Sequence, residues 1–286
     1  MTEANKKAVA ALVTQAVKAA GSQGAFAARS HISGATVNHI LKGKWTNIAD
    51  KMWQKVATFV KHADGDWMPA RTVNFNAIMQ GCRIAQTEGL SLALSHDAGA
   101  GKTFAMQTYA ANNVNAFYLQ CAEYWTKKLF LSNLYRALGK DPGEMTSADL
   151  ADNIIAELRQ KERPLVILDE VDKLRDPLLM FYIELYNKLD GVCGFYMAGA
   201  PALARAWESN AKRDKRGFKE IYSRIGRRFL ELRRVVRKDV ELICMANGVI
   251  EAAEVQRIWN EVENDPDLRR VEREIKKLRQ PLDKAA

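Results

Sequence analysis

The chain predicts an α/β fold: a parallel sheet with helices on both faces, preceded by a small all-α domain and followed by a short helical lid. Three observations carry that prediction. Apolar runs of strand length fall at residues 90–94, 116–119, 165–168 and 195–198, with a weaker fifth at 229–232, and longer helical stretches separate them. Such alternation marks a parallel sheet wrapped by crossover helices. A glycine-rich segment, residues 95–103, follows the first run and opens a helix, where a phosphate-binding loop should sit. Residues 1–63, and those after 238, show helical periodicity alone.

Taken in order, Val9, Leu12, Val13, Ala16 and Val17 share one helical face in residues 8–20, and Gly21 ends that helix. A second helix runs from about Ser22, a cap candidate, to Arg29, with a turn at His31 and Ile32. Ser33 caps a third helix closed by Gly43, and a fourth pattern covers 48–60. Gly65, Pro69 and two aspartates in 62–69 have linker composition, so the first domain spans 1–63 and the linker 64–70. The α/β core spans 71–238, with Thr146 and Asp149 at capping-box spacing before a helix at 147–161. Helices at 239–246, 251–263 and 267–279 make up the lid, 239–286, with Asp265 as the last cap and Pro266 at the first helical position.

The 286 residues suffice for one large and one small domain. Apolar residues at 48% and charged residues at 27% exclude a wholly disordered chain. No apolar run approaches the roughly 20 residues of a membrane span, and the N-terminal sequence lacks a signal-peptide pattern. Cys82, Cys121, Cys193 and Cys244 form no CxxC pair, which disfavours a disulfide framework or zinc site and points to a reducing cytoplasm. The net charge of +9 divides into +7 over 1–63, −4 over 64–204, +9 over 205–238 and −3 over 239–286. Two basic blocks attract phosphate backbones by Coulomb forces and counterion release, although two solvated faces would give the same count.

Three segments carry chemistry. In Ser-His-Asp-Ala-Gly-Ala-Gly-Lys-Thr, residues 95–103, small side chains let successive N–H groups turn towards a polyphosphate, and the helix N-terminus adds partial positive charge. Ala98, Gly99, Ala100, Gly101 and Phe104 are the expected contacts to ATP; Lys102 reaches its β- and γ-phosphates and the Thr103 hydroxyl binds Mg2+. His96 stands where the pattern G-x-x-x-x-G-K-[ST] has its first glycine, a change that can weaken or reshape nucleotide binding. In Pro-Leu-Val-Ile-Leu-Asp-Glu, residues 164–170, a buried strand ends in two carboxylates: Asp169 holds Mg2+ through water and Glu170 orients the attacking water. In residues 222–230, Arg224 is the candidate to reach a neighbouring subunit's γ-phosphate, with Arg227 and Arg228 as alternatives. A chance glycine turn, a solvated acidic turn and a basic helix face are the bland readings of these segments; the first two weaken when both occur in one chain.

On these residues the chain resembles the AAA+ ATPases over about 70–280. More closely it is similar to the AAA+ transposition regulators that include phage Mu transposition protein B and the TnsC-like and IstB-like proteins. The resemblance implies that Ser-Arg-Ile, 223–225, bears the arginine finger Arg224, and that Asp-Leu-Arg-Arg, 267–270, bears a sensor-two arginine, Arg269. It also puts Ala200 where relatives offer a polar sensor-one residue, so slow hydrolysis is expected. The N-terminal block resembles a lambda-repressor-like helix-turn-helix. Ala27, Val37, Ile40 and Leu41 are then core, while Thr36, Asn38, His39, Lys42 and Lys44 face the major groove or its phosphates. Oligomerisation or protein docking is the other reading of that block.

The basic block 205–238 begins just after the fourth strand, a position that in this family faces the axis of a ring or helical filament. Lys212, Arg213, Lys215 and Arg216 read as a flexible phosphate-tracking loop, with Lys127 and Lys128 a second DNA-facing pair. Trp125 beside them reads as packing. The function implied is an ATP-dependent regulator that oligomerises on double-stranded DNA, marks target DNA and recruits or activates a transposase, with hydrolysis driving disassembly. A replicative-helicase loader and a nucleotide-sensing transcription regulator are the alternatives.

Overall fold

The structure, a computed structural model, describes residues 2–20, 22–30, 32–61 and 67–279. The helix end expected at Gly21, the turn residue His31, linker residues 64–66 and lid residues 280–286 lie outside the described residues. The described residues divide into two compact units: Val73–Arg234 forms one, and the described parts of Met1–Thr72 and Val235–Ala286 form the other.

The N-terminal helices are α1 (Glu3–Ala19), α2 (Gln23–Ser30), α3 (Gly34–Leu41) and α4 (Asp50–Lys61), with a 3-10 turn at Trp45–Asn47. Helix α1 begins five residues before the 8–20 stretch because Thr2 caps it and Glu3 places negative charge at its positive end. Ser33 caps α3 as its sequence implies, accepting the Thr36 N–H at 3.1 Å. Val13, Phe26, Val37, Ile40, Trp53 and Val56 form the core here, and Ala27 and Leu41 pack half-buried against it. Phe26 meets Phe59 edge-on at 5.4 Å.

The second unit runs α5 (Val73–Glu88), β1 (Ser91–Ser95), α6 (Lys102–Asn112), β2 (Ala116–Gln120), α7 (Lys127–Ala137), α8 (Ser147–Gln160), β3 (Leu165–Asp169), α9 (Asp176–Leu189), β4 (Gly194–Gly199), α10 (Pro201–Lys212), α11 (Phe218–Arg224) and β5 (Phe229–Leu230). All five strands are parallel, in the order β2-β3-β4-β1-β5. This is an α/β fold consistent with a P-loop AAA+ ATPase. Alternate residues of β3 and β4 enter different cores. Leu165, Ile167, Tyr196 and Ala198 pack with α5 and α6. Val166, Leu168, Phe195 and Met197 join the residues of α7 to α11. Burial on both faces is why these strands read as continuous apolar runs. Strand β5 pairs only two residues, at the sheet's edge, so the expected 229–232 run shortens. The Thr146–Asp149 capping box opens α8 as its spacing implies.

Close packing of α5 on β4 depends on Gly194. A Cβ there would lie 2.0 Å from the Ala85 carbonyl oxygen, a backbone atom that cannot rotate away. Gly194→Ala should therefore destabilise the protein by about 1–3 kcal/mol, read as a lower urea midpoint at unchanged slope.

Helices α12 (Arg237–Ala246), α13 (Ala252–Val262) and α14 (Leu268–Arg279) pack Val240, Cys244, Ile258, Val262, Val271 and Ile275 together. Helix α14 starts later than the Asp265-Pro266 signal implied. Asp267 is the capping group: its carboxylate accepts the Arg269 N–H at 2.8 Å and its carbonyl the Arg270 N–H. The described end of the expected linker, residues 67–70, is anchored. Met68 exchanges two 3.0 Å hydrogen bonds with the Asn247 side chain, and Arg279 stacks over Trp67. No helix among the described residues is long and apolar enough to cross a membrane.

Candidate nucleotide site

The carboxyl ends of β1, β3 and β4, with the start of α6, bring the two motif segments together, as an open α/β sheet does with its ligand crevice. Gly99 (φ 77°) and Gly101 (φ 84°) take the left-handed conformation, which lets the loop between β1 and α6 turn its backbone inwards without a steric penalty. Gly101 caps α6 with no side-chain hydrogen bond, and no acidic residue lies in the first turn. The positive end of α6 thus carries no carboxylate in its own first turn to offset its charge. Lys102 Nζ donates to the carbonyls of His96 (2.5 Å) and Asp97 (2.7 Å), folded over the loop. His96 donates its N–H to the Gly199 carbonyl at 3.2 Å, tying the loop entrance to β4. Its Nδ1 is buried and meets no partner among the described residues.

Thr103 and Asp169, distant in sequence, are in contact. The Thr103 hydroxyl donates to Asp169 Oδ2 at 2.6 Å. Asp169 is 1% exposed. Burial raises its carboxyl above the usual range, against hydrogen bonds from Thr103, Tyr118 and the Glu170 amide that favour the ionised form. A hydroxyl and a buried carboxylate form an all-oxygen donor pair suited to Mg2+, which takes few protein ligands and completes its shell with water and phosphate oxygens. Among the described residues no cluster of three or more His, Cys, Asp or Glu could hold a metal without such help. The residues present therefore fit ATP with Mg2+.

Glu170 follows in the left-handed region (φ 57°), strained for a non-glycine residue. Its carboxylate accepts from Lys173 Nζ at 2.7 Å and from Gln120 Nε2 at 3.0 Å. Neither partner was legible in the motifs: Gln120 ends β2, fifty positions away, and only the strand order brings it alongside. At the end of β4 the backbone supplies the polar contacts that the Ala200 side chain lacks. Ala200 donates its N–H to Asp172 Oδ1 at 3.0 Å and accepts from the Ser95 hydroxyl at 2.8 Å.

Residues 86–206 match the protein family described as AAA domain. No curated protein matches the chain. The match runs from the last residues of α5 to the middle of α10, includes the loop and both carboxylates, and supports an ATPase in general.

Other expected residues of the Val73–Arg234 unit lie outside that cluster. Arg224 is turned onto its own chain: its guanidinium donates to Asn187 Oδ1 at 2.8 Å and Glu220 Oε1 at 3.2 Å and lies 5.0 Å from the Tyr186 ring. Arg227 and Arg228 are exposed. Arg269 stands exposed on α14, in the other unit. Of the N-terminal set, Lys42 and Lys44 are exposed and Thr36, Asn38 and His39 half-buried. The Thr36 hydroxyl already shares a 2.8 Å hydrogen bond with Ser33. Lys127 and Lys128 are both exposed, with Lys127 Nζ 4.2 Å from the Phe181 ring centre, and Trp125 packs against Phe130 as expected.

The segment 212–217 is not the flexible loop expected. Arg213 and Lys215 donate their N–H groups back to α10 carbonyls, closing a defined turn. Lys215 pairs with Asp176 at 2.5 Å and Lys219 with Asp214 at 2.8 Å. Acidic neighbours thus hold two cations that charge counting treats as available. Lys212, Arg213 and Arg216 remain exposed, and Arg205, Glu208, Ser209, Lys212 and Arg213 line an open groove of about 350 Å³ along α10.

Proposed function

We propose that the chain is an ATP-dependent DNA-binding transposition protein of the kind its motifs resemble. ATP and Mg2+ bound at the α6 loop would favour assembly of several copies on double-stranded DNA, as a ring or helical filament. That assembly would mark target DNA and recruit or activate a transposase, and hydrolysis would release it. The N-terminal helices, read as a helix-turn-helix, would add a second DNA contact through α3.

The observation that carries this reading is a basic groove on the same unit as the nucleotide site. Arg205, Lys212 and Arg213 line it together with Glu208, three cations to one carboxylate, and none of the three forms an ion pair within 4 Å among the described residues. Unpaired cations release phosphate counterions on binding without first breaking a protein contact.

When bound, Mg2+ would supply positive charge against the phosphate oxygens. Thr103 and Asp169 would hold it, Lys102 would leave the His96 and Asp97 carbonyls for the phosphates, and Glu170 would orient water. For Glu170 to accept a proton, its pairing with Lys173 and Gln120 must loosen.

Duplex binding measured by fluorescence anisotropy over a salt series tests the reading. With ATP the wild type should bind with a steep negative log–log slope. Arg205→Ala and Lys212→Ala should each reduce the slope by about 1, and Lys215→Ala by less, because its charge already meets Asp176. Duplex affinity indifferent to ATP would count against assembly driven by nucleotide.

A further inference from the structure

Strand β2 carries a residue that the nucleotide motifs do not include. Tyr118 lies opposite Ile167 in the β2–β3 ladder, two residues before Asp169, on the face that packs with α5 and α6. Its hydroxyl donates to Asp169 Oδ2 at 2.9 Å, the oxygen that also accepts from Thr103 at 2.6 Å. The other oxygen, Oδ1, accepts the Glu170 N–H at 2.9 Å.

The Asp169 carboxylate is therefore held from both sides, with Tyr118 supplying one of two hydroxyl donors on the oxygen nearest Thr103. The carboxylate is nearly inaccessible to water. A buried anion that loses a donor has no solvent to replace it. Without the phenol, Oδ2 keeps only Thr103, a side chain that must also offer its oxygen to the metal. With one donor on Oδ2 instead of two, and the Glu170 N–H alone on Oδ1, the carboxylate's orientation about its χ2 bond would loosen.

We propose that Tyr118 is a positioning residue for the metal site: its hydroxyl fixes the orientation of the Asp169 carboxylate, so that Thr103 and Asp169 present their oxygens together to Mg2+. The proposal rests on the reading of the α6 loop as an ATP site. Partners one shell out from metal ligands typically change metal affinity by about 10–100-fold when removed.

The test is Tyr118→Phe, which deletes one oxygen and keeps the ring in its place. Binding of a fluorescent ATP analogue is titrated with Mg2+, alongside a parallel titration without metal in EDTA. The Mg2+ concentration for half-maximal enhancement should rise about 10-fold, with metal-free nucleotide binding unchanged. A variant that is merely less well packed would lose both together, and that result overturns a positioning role. An unchanged Mg2+ midpoint overturns it as well. If the wild-type protein binds no nucleotide under any condition, the reading of the site fails first and this proposal fails with it.

Discussion

Glu170→Gln should lower ATP hydrolysis by about 10²–10⁴-fold and leave ATP binding intact, as expected when a group that handles a proton is replaced by an uncharged isostere. Phosphate release and equilibrium binding of a labelled nucleotide separate the two effects. The variant also removes the negative charge that holds Lys173 at 2.7 Å, while an amide can still meet Gln120. If the proposed assembly and its release are coupled to hydrolysis, Glu170→Gln complexes on duplex DNA should persist where wild-type complexes decay. Hydrolysis at the wild-type rate would remove Glu170 from the chemistry and leave its left-handed backbone unexplained.

Arg224→Ala should have an effect of similar or greater size, but one that depends on assembly. An arginine acting on a neighbour's phosphate contributes about 10³–10⁵-fold to turnover. A single subunit carrying Arg224→Ala should bind ATP normally and the assembled protein should fail to hydrolyse it. Lysine should not rescue, because it lacks the planar fork that arginine presents to phosphate. The resting contacts of Arg224 with Asn187, Glu220 and Tyr186 make a second demand: the side chain must exchange them for the neighbour's phosphate. Mixing Arg224→Ala with Glu170→Gln subunits distinguishes action in trans. Mixed assemblies should regain part of the activity, since some interfaces then combine an intact Glu170 with an intact Arg224.

The strands were legible because burial on both faces leaves little room for polar residues. Residues 165–168 and 195–198 fall inside β3 and β4 for that reason. The loop and the Asp169–Glu170 pair were legible because each is a local pattern whose chemistry needs adjacent residues. What escaped was set by strand order. Tyr118 and Gln120 reach the two carboxylates only because β2 lies beside β3, and no local spacing announces a neighbour about fifty residues away.

Charge counting failed for the same reason. Lys215 counts as a free cation until α9 brings Asp176 to it, while Arg205 lies within a helix, beside a glutamate in the same groove, and draws no notice until the groove is seen. Helix ends were the other weak point. The caps at Thr2 and Asp267 are single side chains reaching N–H groups two or three residues on, a signal that competes with equally plausible residues nearby.

Electron microscopy of the full chain with duplex DNA and a non-hydrolysable ATP analogue tests the central claim most directly. The account predicts protein-decorated duplex, as rings or continuous filaments, that appears with the analogue and is lost when ATP is replaced by ADP. Bare duplex under all nucleotide conditions, or isolated copies bound at one site regardless of nucleotide, would contradict it.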